Sequence, residues 1–207
     1  MSMLTGAHAV AFDLDDTLTD WYTGIQRAAA AVDAPEIVDC IRAETWVRQT
    51  GVVVDRHHWR VLHEPETFMA AELVDPFLAA LDPPLFDDVV PALETLGARL
   101  PLALLTNNPF GADVLNRHGL DADVFQCVAI ADPLVRKPDP LAFAPVIDGL
   151  ALEPGEIAYI GDSVLADVDG ALAAGLRPVW LDRWRDEWPI PYGVVRIGSL
   201  LELLEQC

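Results

Sequence analysis

Apolar positions along this chain fall into two kinds of pattern. The first run, Ala9 to Phe12, is short, continuous and stopped by a carboxylate at Asp13, which reads as a buried strand. Beyond Leu18 the spacing becomes helical. Thr23 to Val32 is Ala-rich and amphipathic; Asp33-Ala34-Pro35 interrupts it, and Pro35 is placed to open a second helix whose Ile37, Val38 and Ile41 share one face. Gly51 to Val54 is a β-branched connector, and Glu64-Pro65 precedes a third helical run through Phe68, Met69 and Leu73 that Pro76 ends or kinks. This insertion offers no strand to a sheet, so residues 19–81 read as a separate, small, all-helical cap.

Consecutive prolines in Asp82-Pro83-Pro84 forbid both helix and central strand, which marks a hinge back into the main domain. Val89 to Ala98 predicts a helix with Pro91 in its first turn, and Leu100 to Leu105 a strand that stops at Thr106-Asn107-Asn108. Gly111 to His118 is helical, Val124 to Ile130 extended and Pro140 to Gly149 helical. Ile157 to Ile160 is a strand ending at Gly161-Asp162, Leu165 to Ala174 a helix and Pro178 to Leu181 the last clear strand, with Ser199 a candidate cap for a final helix. Continuous apolar strands alternating with helices require a parallel sheet covered on both faces. The fold class is therefore α/β: a Rossmann-like, doubly wound parallel-sheet core over residues 1–18 and 82–207, with the helical cap between. Polar residues gather at the carboxyl ends of the strands, where open α/β sheets bind ligands. Asp182 to Pro191 predicts only a loop, whose Trp184 and Trp188 are expected to pack against the sheet edge.

Composition narrows the class of partner. A chain of 207 residues with 52% hydrophobic and 22% charged positions is globular. No apolar run approaches the ~18 residues of a membrane span. The start, Met1 to His8, carries no basic cluster before an apolar core, so no signal peptide is read and the expected compartment is the cytoplasm. Cys40, Cys127 and Cys207 are odd in number and widely spaced, which suggests neither a disulfide framework nor a zinc site. A formal charge of −20 argues against nucleic acid and anionic membranes and leaves small molecules as partners. The acidic composition resembles that of proteins from high-salt cytoplasms and fits an acidic protein of a GC-rich genome equally. Of 13 basic residues one alone is Lys, at position 137.

Asp13, Asp15 and Asp16 place three carboxylates in four positions, which repel one another unless a cation or a phosphoryl ligand needs them there. In strand geometry Asp13 and Asp15 point the same way and can address one reacting group. Phosphoryl transfer needs a nucleophile, a proton donor for the leaving oxygen and positive charge around the phosphoryl oxygens, and each role has a candidate at a strand end. The compact ammonium of Lys137 can approach two carboxylates and a phosphoryl group at once, where a planar guanidinium could not.

The run Asp13-Leu14-Asp15-Asp16-Thr17-Leu18 resembles the first motif of the haloacid dehalogenase superfamily, Asp-x-Asp-x-Thr-Leu, whose members are mostly magnesium-dependent phosphatases. The other motifs follow in order. Thr106 ends an apolar strand as in the second, Arg136-Lys137-Pro138-Asp139-Pro140 resembles the third, and the stretch from Gly161 to Ala171 matches Gly-Asp-Ser-x-x-x-Asp-x-x-Gly-Ala along its length. The likeness covers residues 8–18 and about 83–182; the cap shows no motif. It implies Asp13 as a nucleophile forming an aspartyl-phosphate, Asp15 as general acid and then base, Thr106, Asn107 and Lys137 as phosphoryl-binding groups, and Mg²⁺ held by Asp13, Asp15, Asp162 and Asp167, with Asp15 contributing its backbone carbonyl. A water-derived nucleophile stays open as the rival to Asp13.

The implied function is hydrolysis of a small phosphorylated metabolite; sugar phosphates, phosphoglycolate and nucleoside monophosphates all fit. Dehalogenases of the superfamily lack the second Asp of the first motif, present here as Asp15. A phosphomutase fits the same core, and an idle phosphate- or metal-binding module would have no need of Asp15. Asp16 departs from the family's frequent Gly, but Asp tolerates unusual backbone angles. Asp169 is expected to face solvent. His57, His58, Trp59, Arg60 and His63 are candidates for substrate recognition, and an ordinary cap surface or core explains them as well. The sequence leaves the oligomeric state open.

Overall fold

In the computed structural model the described residues are 4–38, 69–120, 123–184, 189 and 191–204. Among them six strands form one sheet: β1 (Ala9–Phe12), β2 (Leu102–Thr106), β3 (Cys127–Ile130), β4 (Ile157–Gly161), β5 (Arg177–Leu181) and β6 (Val195–Ile197). They lie in the order β3-β2-β1-β4-β5-β6, every pair parallel. Phe12 pairs with Leu104 on one side and Ile160 on the other, so the ends of β1, β2 and β4 align at one edge.

The period of two along each strand divides the core into two layers. Val10 and Phe12 join Leu104, Ile160 and Leu181 on one face. This face is covered by α3 (Val89–Gly97), α4 (Gly111–Arg117) and the terminal turn Leu200–Leu203. Ala9, Ala11, Ala103 and Tyr159 face the other way, onto α5 (Ala144–Leu150) and the 3₁₀ turn Pro140–Phe143 before it. Every residue of β1, β2 and β4 is buried, as a doubly covered parallel sheet demands. β3 is an edge strand, shorter than the expected Val124–Ile130, and exposes Val128 and Ile130.

Between β1 and α3, helices α1 (Trp21–Ala31) and α2 (Ala71–Ala80) pack through Trp21, Ile25, Ala28, Phe77 and Leu81 into a third apolar cluster. Pro76 lies inside α2 and does not end it. Residues 36–38 are helical directly after Pro35. Ile41, Gly51 to Val54, Glu64-Pro65, Phe68, Trp188 and the cluster His57, His58, Trp59, Arg60 and His63 lie outside the described residues. The connections leaving and re-entering the sheet run side by side: Thr19 bridges Leu85, Asp20 N–H donates to the Pro84 carbonyl at 2.7 Å, and Phe86 N–H to that of Leu18 at 3.1 Å.

Three local readings change. β6, absent from the sequence reading, is three residues long with Arg196 at its centre, so no apolar run announces it. The expected helix Leu165–Ala174 begins as a wide π-type turn, Val164–Asp169, and only Gly170–Ala173 (α6) is α-helical. Trp184 is 56% exposed and does not pack against the sheet edge. No described helix is long and apolar enough to cross a membrane.

A half-buried ion pair ties the C-terminal part of the sheet to the loop after β1. Arg183 meets Asp88 through two parallel N–H···O bonds of 3.0 Å, stacks 3.9 Å over the Phe86 ring, and donates from Nε and Nη2 to the Thr17 carbonyl. Asp88 also accepts from Ser199 Oγ at 2.7 Å and from Leu200 N–H at 2.9 Å. Burial alone would raise the Asp88 pKa, but the bonds from Arg183 and Ser199, the Arg183 charge and the Leu200 N–H outweigh it and hold it below the usual carboxylate value. A carboxylate with a depressed folded pKa stabilises the fold fully above its unfolded value of ~3.9 and loses that stabilisation as pH falls through the folded value. Asp88→Asn should therefore lower the unfolding free energy by about 2 kcal/mol at neutral pH. In urea denaturation the gap from wild type should close below about pH 4; a gap of constant size across that range would contradict this role.

Candidate active site

β1 delivers Asp13 one residue past its last ladder position, where the Asp13 N–H still donates to the Ile160 carbonyl at 2.9 Å. The chain then wraps tightly: the N–H groups of Thr17, Leu18 and Thr19 all point at the Leu14 carbonyl. That turn requires a left-handed residue, and Asp16 supplies it at φ 58°, a conformation Asp adopts more readily than most residues. At the end of β2 lies Thr106, buried, its Oγ1 accepting from the Asn108 N–H at 3.0 Å and its own O–H left to donate. Past β4 come Asp162, half-buried, and Asp167, buried on the π-type turn.

Lys137 joins these ends. It reaches Asp13 from far along the chain, and Nζ lies 2.6 Å from Asp13 Oδ1, 2.6 Å from Asp167 Oδ1 and 3.0 Å from the Tyr159 hydroxyl. An ammonium has three donors, and these three acceptors take them. Its residue is 2% exposed. Burial works against the charged lysine, but Asp13 and Asp167 outweigh it and hold the ammonium pKa well above the ordinary value. Burial likewise raises the Asp13 pKa; Lys137 opposes the rise, and the nearby charges of Asp167 and Asp15 add to it. Tyr159 stays a neutral phenol, its pKa raised first by burial, and also bonds to the Leu105 carbonyl at 3.2 Å.

Asp13, Asp162 and Asp167 can each offer an oxygen within 4.8 Å of the others. One ammonium does not neutralise three carboxylates, and an all-oxygen, anionic donor set suits a hard divalent cation such as Mg²⁺. Asp167 reaches the cluster because Gly161 has no side chain; a Cβ there would stand 2.3 Å from the Asp167 Cγ. The fourth expected ligand, Asp15, is not in this group. Its carboxylate Oδ1 accepts from Asn108 Nδ2 at 3.2 Å and from Thr19 Oγ1 at 3.4 Å.

Asn107, expected at the substrate, aims its carboxamide at the Lys137 backbone instead: Nδ2 donates to the carbonyl at 3.1 Å and Oδ1 accepts from the N–H at 3.0 Å. Asp169 is exposed, as expected. Asn108, Thr19 and Tyr159 escaped the sequence reading. A phenol inside the otherwise apolar strand β4 was the available signal for Tyr159, since a buried hydroxyl needs a partner. Asn108 stood inside a polar run already assigned to its neighbours.

Strand-end carboxylates thus gather around one buried lysine at the carboxyl edge of a doubly wound parallel sheet, the edge at which such sheets bind ligands. The family model for haloacid dehalogenase-like hydrolases matches residues 7–175, and the chain belongs to that family. It is 34% identical to a phosphoglycolate phosphatase of Yersinia pseudotuberculosis, over 80% of this chain and 77% of that protein. It is 39% identical to a phosphoserine phosphatase of Thermus thermophilus, over 50% of this chain and 43% of that protein. Its fold resembles the L-2-haloacid dehalogenase of Xanthobacter autotrophicus with a TM-score of 0.73 at 21% identity, covering 96% of this chain and 97% of that one.

Gly161→Ala tests the packing beneath the cluster. The added methyl must displace Asp167, so the variant should lose about 1–3 kcal/mol of stability in urea unfolding. The binding of Mg²⁺, followed by calorimetry, should weaken in parallel; an unchanged midpoint would show that Asp167 has room to move.

Proposed function

We propose that this chain is a magnesium-dependent phosphatase that hydrolyses a small phosphorylated metabolite through an aspartyl-phosphate at Asp13. The observation that carries the reading is the pairing of one buried Lys137 ammonium with both Asp13 and Asp167, beside an Asp15 that is held outside the carboxylate cluster. This separates a nucleophile from a proton carrier, as phosphoryl transfer to a carboxylate requires.

Asp13, Asp162 and Asp167, with the Asp15 backbone carbonyl, are the groups that would hold Mg²⁺. When bound, the ion supplies positive charge to the phosphoryl oxygens and to the attacking carboxylate. Lys137 opposes the rise in the Asp13 pKa and aims its carboxyl group, while Asn107 fixes the Lys137 backbone. The Thr106 O–H donates to a phosphoryl oxygen. Asp13 attacks phosphorus as Asp15, steadied by Asn108 and Thr19, gives its proton to the leaving oxygen. Asp15 then takes a proton from the water that attacks phosphorus in the aspartyl-phosphate, which releases phosphate and restores Asp13. The cap, residues 19–81, supplies selectivity and water exclusion.

The names of the relatives, phosphatases of phosphoglycolate and phosphoserine, support a small phosphorylated substrate. The dehalogenase neighbour supports the fold alone. A halide leaving group needs no proton, so Asp15 favours phosphoryl transfer over carbon–halogen cleavage.

An aryl phosphate should be hydrolysed with Mg²⁺ and not after chelation. Asp15→Asn should slow turnover by ~10²–10⁴, the worth of a positioned acid or base. Activity that survives removal of the metal, or wild-type turnover in Asp15→Asn, would overturn the assignment.

A further inference from the structure

The β4–β5 ladder ends with Gly161 opposite Trp180. The next carbonyl on β4, that of Asp162, takes the Trp180 indole N–H at 2.7 Å. On the other side of the same peptide unit, the Ser163 N–H donates to Asp167 Oδ2 at 2.9 Å. One peptide plane, between residues 162 and 163, is thus pinned at both ends. Its carbonyl is held by an aromatic side chain and its N–H by a carboxylate of the cluster. Asp162, which carries another of the three grouped carboxylates, is the residue whose carbonyl is held.

The indole is itself fixed. Trp180 is 2% exposed, and the Arg196 guanidinium lies 4.9 Å from the ring centre. Arg196 is in turn ion-paired with the buried Asp182. A tryptophan held this firmly offers its N–H in one direction only, because the indole has a single donor and no rotatable hydrogen.

We infer that Trp180 is a positioning residue for the metal site, acting through the 162–163 peptide to set Asp162 and, through the Ser163 N–H, Asp167. The inference rests on the reading that Asp13, Asp162 and Asp167 hold Mg²⁺. Trp180 touches neither substrate nor reacting atoms; its effect is on how well two carboxylates are placed before the ion arrives. Partners behind metal ligands typically contribute 10–100-fold to metal affinity, and this one acts through a backbone carbonyl, at the lower end of that range.

The test is calorimetric titration of the full-length chain with Mg²⁺ alone, in wild type and in Trp180→Phe, which keeps an aromatic ring and removes the donor. Wild type should bind, and Trp180→Phe should bind about 10-fold more weakly. The rise in melting temperature on adding Mg²⁺ should shrink with it. A tryptophan of merely structural worth would lower the melting temperature equally with and without Mg²⁺ and leave the binding constant alone, and that result overturns the inference while leaving the metal site standing. Absence of Mg²⁺ binding by wild type overturns both together. Should Trp180→Phe fail to fold, Arg196→Gln takes its place, since it loosens the indole from its outer side without emptying the core. Binding weakened about threefold supports the inference, and an unchanged constant overturns it.

Discussion

A buried ammonium between two buried carboxylates is the constraint on which the site depends. Removing these charges from water costs several kcal/mol for each ion, so the arrangement persists only where geometry and hydrogen bonds offset that cost. Each feature around Lys137 serves this end. Tyr159 takes the third ammonium hydrogen, Asn107 fastens the backbone on both sides of the residue, and Gly161 clears the space into which Asp167 fits. The parallel register brings the ends of β1, β2 and β4 to one edge, where the lysine from the loop after β3 reaches Asp13 and Asp167. Even so the carboxylates outnumber the ammonium, and burial holds the Asp13 pKa up. That imbalance leaves negative charge in the cluster, and its three carboxylates are grouped closely enough to be offered to one cation.

Much of this was legible in the sequence because the physical signals were local. β1, β2 and β4 are continuous apolar runs stopped by polar residues, and a doubly covered parallel sheet produces that pattern. The single lysine in a chain whose other basic residues are Arg singled out position 137 without structural help. What could not be read was either short or distant. β6 has three residues, one of them charged, and leaves no hydrophobic trace. The Asp88–Arg183 pair joins positions 95 apart in the chain, and the Trp180 indole bond to the Asp162 carbonyl spans 18. Neither follows from periodicity or spacing. The direction of a side chain is equally hidden: a period of two put Asp13 and Asp15 on one face, but the strand ends at Phe12, and the turn around the Leu14 carbonyl sends the Asp15 carboxylate to Asn108 and Thr19.

That turn gives two carboxylates separated by one residue different partners. Asp13 lies in the charged cluster, paired with Lys137. Asp15 accepts hydrogen bonds from Asn108 Nδ2 and Thr19 Oγ1. The loop that separates them is held from outside by Arg183, whose bonds to the Thr17 carbonyl carry the Asp88 ion pair onto the catalytic turn. Stability and chemistry therefore share one support: the contacts that fasten the end of the sheet also keep the two acids in different surroundings.

Asp13, held by Lys137, is the residue proposed to carry the covalent phosphoryl group. Borohydride reduction of the protein during turnover of a phosphate ester with Mg²⁺, followed by peptide mass spectrometry, tests it directly, because an acyl phosphate is reduced to an alcohol whereas a free carboxylate is untouched. Reduction should occur at position 13 and depend on both substrate and Mg²⁺. Reduction at another acid, or an unmodified Asp13 in protein that is turning over substrate, would contradict it.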